Sequence, residues 1–333
     1  MKFKTIYDTI IKILVNNPIT RNYKIQKVES VLEICDIDKV KEITVKHYID
    51  KDNVFLNTGN DKTDKILNRF LDTMNKNFDK EDLKNLYDNI IWVLLKKKFT
   101  FKNHGDYDLI DNVIKGNKED VITHELLHLY SNPYDETNDS GGFSYNIVDY
   151  SIGLGLDEGY TELLNRRYFN SETKTSYENQ IITCEYLEKI VDQKNMEKMY
   201  LNANLHGLIK ELKKYYSLQE IERFIIAVDF THEYDHKKLN NYENGVLYEQ
   251  FETIISFLFK GYCKLLKKQN IEKECLESYL NEYIYEITNK YNIKVEDSFI
   301  EELQLIVSDE LNENIKLNIQ IMKIKKMGVL LWN

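Results

Sequence analysis

Two prolines, Pro18 and Pro133, are all that the 333 residues contain, and glycines number only 12. These two residue types break helices and make tight turns, so a chain poor in both lacks the many turns an all-β fold needs. The apolar residues fall in with this. Ile66, Leu67, Phe70, Leu71 and Met74 recur at helical spacing. Leu83, Leu86, Tyr87, Ile90, Ile91, Leu94 and Leu95 do so without a gap, and Asp79 stands ready as an N-cap. Phe3, Ile6, Tyr7, Ile10 and Leu14 predict an amphipathic helix that Pro18 stops; Lys12 interrupts its apolar run, so it does not read as a secretory leader.

Beyond about residue 170 helix follows helix. Leu205, Leu208, Ile209 and Leu212 make one stripe; Ile221, Phe224, Ile225 and Val228 a second; Leu276, Tyr279, Leu280, Tyr283, Ile284 and Ile287 a third. Strand signals are few and precede residue 155: 43–48, 54–56, 99–102, a hairpin or edge strand within 105–116, and a hairpin at 143–152 inside the long polar loop 132–155. The fold class expected is mainly α (α+β). Residues 1–170 would carry a small N-terminal sheet and the chemistry, and residues 171–333 would form a helical C-terminal lobe.

Composition narrows the partners. Hydrophobic residues at 42% and charged residues at 30% allow a full core. A net charge of −10 argues against binding nucleic acid, whose phosphates would repel it. The longest uncharged apolar stretch, 90–95, is far short of a membrane span. The cysteines Cys35, Cys184, Cys263 and Cys275 form no CxxC pair and read as reduced thiols of a cytoplasm. Abundant Lys, Asn, Ile and Tyr resemble the usage of AT-rich bacteria. The oligomeric state is left open.

The run His124-Glu125-Leu126-Leu127-His128 carries the chemistry. Two His four residues apart on a helix lie about 40° apart around the axis and about 6 Å along it, so both rings can reach one metal ion. Glu125 sits on the adjacent edge, able to touch a metal-bound water without being a ligand. A zinc ion with three protein ligands keeps a fourth position for water and lowers its pKa to about 7, and a neighbouring carboxylate can then take the proton. Val121, Ile122, Leu126, Leu127 and Leu129 surround the motif with the apolar residues a rigid site needs; Asn117, with Asp120 three residues on, is expected to cap the helix, and Pro133 to end it. A second literal match, His232-Glu233-Tyr234-Asp235-His236, is flanked by Asp229, Lys237 and Lys238 and reads as a solvated helix end.

A third ligand must come from elsewhere. The run Gly153-Leu154-Gly155-Leu156-Asp157-Glu158-Gly159-Tyr160-Thr161-Glu162 places Glu158 and Glu162 on one helical face. One can bind metal while the other accepts the ring N–H of a liganding His and fixes its tautomer. Between His128 and Glu158 lie 29 residues, enough to leave one helix and enter another.

HExxH followed by an Asp-Glu-Gly run opening a second helix resembles the gluzincin metallopeptidases, the thermolysin-like and aminopeptidase-like group. The resemblance covers about residues 105–169. It implies a zincin-like catalytic core with Zn2+ held by His124, His128 and Glu158, Glu162 orienting a liganding His, and a peptide or protein substrate. It also implies a Tyr, His or Arg that stabilises the oxyanion. Tyr150 is the first choice; Tyr145, Tyr160, Arg166, Arg167, Tyr168, His206 and His232 are the others. The rival readings are a metal-dependent hydrolase of a non-peptide amide, and a helical interaction protein with a structural or degenerate metal site.

Overall fold

The computed structural model describes residues 61–79, 106–108, 113–115, 118–132, 140–147, 150–171, 177–234, 237–293, 295–313 and 315–317. The helix expected within residues 1–21, the one over 83–95 and the strands at 43–48, 54–56 and 99–102 lie outside these. The described elements run α1 (Asp61–Asn77), β1 (Asp106–Asp108), β2 (Val113–Lys115), α2 (Glu119–Ser131), β3 (Ser140–Gly141), β4 (Ser144–Ile147), β5 (Tyr150–Ile152), α3 (Leu154–Phe169), α4 (Glu178–Val191), α5 (Gln193–Leu201), α6 (Leu205–Leu212), α7 (Leu218–Tyr234), α8 (Asn241–Lys268), α9 (Lys273–Lys290) and α10 (Asp297–Leu311). The protein is mainly helical, as its shortage of turn formers requires.

Two compact units can be recognised, and α3 contributes to both. In the first, β1 and β2 form the expected antiparallel hairpin, with Tyr107 opposite Ile114, and α2 packs against both strands. Helix α1 buries Ile66, Leu67, Phe70, Leu71 and Met74, the stripe its sequence shows, and packs on α2. Phe70 stacks on Phe169 with ring centroids 4.9 Å apart. The segment expected to be a loop with one hairpin forms a three-stranded sheet in the order β3-β4-β5.

The second unit is built around α8, the longest helix, which packs against α4, α7, α9 and α10. A reciprocal cap starts α8: Asn240 accepts the Glu243 backbone N–H at 3.0 Å, and the Glu243 carboxylate accepts that of Asn240 at 2.8 Å. Phe257 stacks between Tyr216 and Phe224, at 3.8 and 4.1 Å. A chain this short of glycine ends its helices on asparagine. Asn170, Asn270, Asn292 and Asn312, just beyond α3, α8, α9 and α10, all take a positive φ of 51–55°. Asparagine tolerates that left-handed turn better than other side chains do.

Candidate metal centre

Helix α2 carries the first three chemical groups. Glu119 and Asp120 lie in its first turn, where the helix dipole favours negative charge. Its N-cap is Lys118, which makes no side-chain capping bond, so the cap expected at Asn117 is not what starts the helix. Ile122, Leu126, Leu127, Leu129 and Tyr130 are buried, and His124 and Glu125 are buried among them at 8% exposure each. The helix ends at Ser131, before Pro133.

Helix α3 supplies the rest. Glu158 and Glu162 stand one turn apart on it, and Glu162 is only 2% exposed. His124, His128 and Glu158 each offer a ligand atom, and these atoms lie within 4.8 Å of one another. Two ring nitrogens and a carboxylate oxygen so grouped could hold a metal ion. This is the one such grouping among the described residues.

The hydrogen bonds behind the two rings bear on which nitrogen each can offer. His124 Nδ1 lies 3.0 Å from Glu162 Oε2. A carboxylate in that place holds the proton on Nδ1 and leaves Nε2 with a bare lone pair. Burial would raise the Glu162 carboxyl, but the hydrogen bond from His124, with help from Asn165 and Arg166, outweighs it and holds the group below the usual carboxylate range. Glu162 is therefore an anion at neutral pH. His128 Nδ1 in turn faces Thr161 Oγ1 at 3.5 Å. The two Nε2 atoms are 3.1 Å apart. With the proton of His128 also on Nδ1, both Nε2 lone pairs face the same point as Glu158, so the donor set fits a metal ion.

Sequence reading had paired Glu162 with a His ring, and the structure identifies that ring as His124. It had not found the residues that hold Glu162. Ser171 Oγ donates to Oε1 at 3.2 Å and Arg166 Nε to the same oxygen at 3.4 Å. Asn165 Nδ2 reaches Oε2 at 3.2 Å and the Asp120 carbonyl at 3.0 Å, while its Oδ1 lies 2.7 Å from the Thr123 hydroxyl. Asn165 thereby ties α3 to α2. Thr161 and Asn165, with Glu158 and Glu162, make a polar i, i+3, i+4, i+7 stripe on α3 that the sequence displays. Ser171 carried no such signal.

The candidate oxyanion groups fare differently. Tyr150 opens β5, but its side chain is outside the described residues. Tyr145 is exposed. Tyr160 is buried and donates to Glu188 Oε1 at 2.7 Å. The Tyr168 ring packs edge-on against Phe78. Arg166 is tied to the site through Glu162, and Arg167 beside it is half-buried. His206 is exposed, since it lies off the Leu205, Leu208 and Leu212 stripe that α6 buries. In the second HExxH match, His232 lies near the end of α7 against the ring of Tyr177, and His236 is outside the described residues. No helix among the described residues is long and apolar enough to cross a membrane.

Compared with protein-family models, curated proteins and solved structures, the chain matches none.

Proposed function

We propose that this protein is a zinc-dependent metallopeptidase of the gluzincin type, working in a reducing, cytoplasmic compartment of a bacterium. The observation that carries the reading is the orientation of His124 by the Glu162 anion, which aims an imidazole lone pair at the point His128 and Glu158 also face. Zinc bound there would supply Lewis acidity, lowering the pKa of a water to about 7 and polarising a carbonyl. His124, His128 and Glu158 hold the ion, and Glu162, Asn165 and Ser171 keep His124 from turning. Glu125 is the proton carrier. It accepts a proton from water as the water oxygen bonds to the carbonyl carbon, and it returns that proton to the amide nitrogen as the C–N bond breaks. A carboxylate buried beside the first ligand suits a hydrolase, which needs a proton carrier there, better than a purely structural site, which needs none.

The test is Glu125→Gln. Zinc per chain should stay the same by elemental analysis, while hydrolysis of a pool of quenched fluorescent peptides should fall by about 10²–10⁴-fold. Peptide hydrolysis that survives the substitution would sink the reading. Loss of zinc with activity would instead make Glu125 a ligand.

A further inference from the structure

The two liganding rings are anchored by different chemistry. His124 has a carboxylate behind it. Behind His128 stands Thr161, whose Oγ1 lies 3.5 Å from His128 Nδ1. A lone hydroxyl is a weak anchor, because it rotates and can turn its proton toward the ring. Here it is not alone. The Tyr200 hydroxyl is hydrogen-bonded to Thr161 Oγ1 at 2.5 Å. Both side chains are fully buried, at 0% exposure. The Tyr200 ring is itself held edge-on by Phe143, with centroids 5.6 Å apart, and Phe143 is as deeply buried.

We propose that Thr161 and Tyr200 act together as the positioning pair for His128. If Thr161 donates to Tyr200, its proton is occupied and a lone pair of Oγ1 faces His128 Nδ1. If Tyr200 donates, the Thr161 proton is free to turn to Nδ1 instead. The first arrangement keeps the proton on His128 Nδ1 and leaves Nε2 to bind metal, and Tyr200 is the acceptor that makes it available. The coupling also strengthens the anchor, since a hydroxyl already in a hydrogen bond is polarised toward the next one. Thr161 is one turn from Glu158 on α3, so the helix that supplies the third ligand also sets the tautomer of the second. Tyr200 lies in α5, remote in sequence from HExxH, and gives that helix a function at the site. This inference rests on the metal reading above, since without a bound ion His128 needs no fixed tautomer.

The test uses the full chain and three variants: Thr161→Val, Tyr200→Phe and Thr161→Ser. Zinc affinity is read by competition with a chromophoric chelator, and ligand geometry by the visible absorption of the Co2+-loaded protein. Thr161→Val keeps the shape and loses the hydroxyl, so zinc should bind about 10–100-fold more weakly, with shifted cobalt bands. Tyr200→Phe should move both readouts the same way. Thr161→Ser restores the hydroxyl and should return affinity and spectrum toward wild type. The proposal is overturned if Thr161→Val binds zinc as tightly as wild type with unchanged cobalt bands, or if Thr161→Ser is as impaired as Thr161→Val, which would mark a packing role. Failure of the wild type to bind zinc would overturn the metal reading itself, an outcome these comparisons keep distinct.

Discussion

The Asp229 carboxylate accepts the backbone N–H of Gly155 at 2.8 Å, and its other oxygen accepts that of Gly153 at the same distance. Gly153 is the residue before α3, its carbonyl takes the first helical bond from Asp157, and its φ is +82°. It has no side chain with which to cap the helix. The opening N–H groups of any helix lack partners and carry partial positive charge. Asp229, reaching over from α7, supplies the missing acceptor. It thereby sets where α3 begins, and the start of α3 fixes where Glu158 comes one turn later.

That arrangement predicts a pH effect whose sign can be worked out. Burial pushes the Asp229 carboxyl up, the N–H groups of Gly155 and Gly153 pull it down, and the nearby Asp157 pushes it up again, leaving it raised from 3.8 to about 6. Between about pH 4 and pH 6 the folded chain therefore keeps a proton that the unfolded chain has released. Stability from this group falls as pH rises through that window and is level above it. Each pKa unit is worth about 1.4 kcal/mol, so the decline is about 3 kcal/mol at most. Asp229→Asn cannot ionise and should lack it. The melting temperature of wild type minus that of the variant should shrink from pH 4 to pH 7. A difference that grows instead would mean the two N–H groups stabilise the anion by more than burial opposes it.

Gly159, which follows the ligand Glu158, has a packing reason to be glycine. A Cβ placed there would lie 2.6 Å from the carbonyl carbon and Cβ of Gln180, against the main chain of α4. Gly155 meets the Val228 carbonyl of α7 at 2.6 Å in the same way. Mid-helix glycine costs about 1 kcal/mol relative to alanine unless close approach requires it. Gly159→Ala should therefore destabilise the protein by about 1–3 kcal/mol in denaturant unfolding. Gly245 is the contrast. Nothing lies within 4 Å of a Cβ there, and Gly245→Ala should stabilise α8 by about 0.5–1 kcal/mol. Equal effects at the two positions would refute the packing argument.

The parts of this protein legible in sequence are those set by one helix at a time. The buried stripe of α1, the i, i+4 geometry of His124 and His128, and the shared face of Glu158 and Glu162 are local periodicities, and the structure contains all of them. The Glu158–Gly159 pair was recognisable as a motif, but its physical cause, Gln180, lies on another helix. Asp229 and Tyr200 act across long stretches of chain, and no spacing rule connects them to α2 or α3; Ser171 is near α3 in sequence, but only the turn after Phe169 brings its hydroxyl back to Glu162. Asp229 was read only as a polar residue spoiling the second HExxH match, and the fold turns it into the cap of the ligand helix.

Glu162 is predicted to matter to metal affinity without being a ligand itself. Its oxygens serve His124, Asn165, Arg166 and Ser171 at once. Glu162→Gln removes the charge and turns one end of the group into a donor facing other donors. Zinc affinity, read against a chelator of known strength, should drop about 10–100-fold while the chain stays folded. Glu158→Gln removes a direct ligand and should lose more. If Glu162→Gln bound zinc as wild type does, the orientation of His124 would have to come from packing alone.

Metal removal provides the last prediction. The proposed ligands His124, His128 and Glu158 sit on two helices that meet only in the folded chain, so zinc should bind the native state and not the unfolded one. Free zinc at about 100 times its Kd would then stabilise the fold by about 2.7 kcal/mol. Thermal unfolding followed with zinc and with chelator should show the difference for wild type and its absence in His128→Ala, which keeps Glu162 and His124 but removes one ring. The comparison isolates the site, because zinc that stabilised His128→Ala equally would be acting elsewhere on the chain. Apo protein should also be loosened around α2 and α3 more than in the helices packed on α8, since it lacks the ion that would join the two helices. Hydrogen exchange at backbone amides of 119–131, faster in chelator and slowed by zinc, is the local signature of that loss.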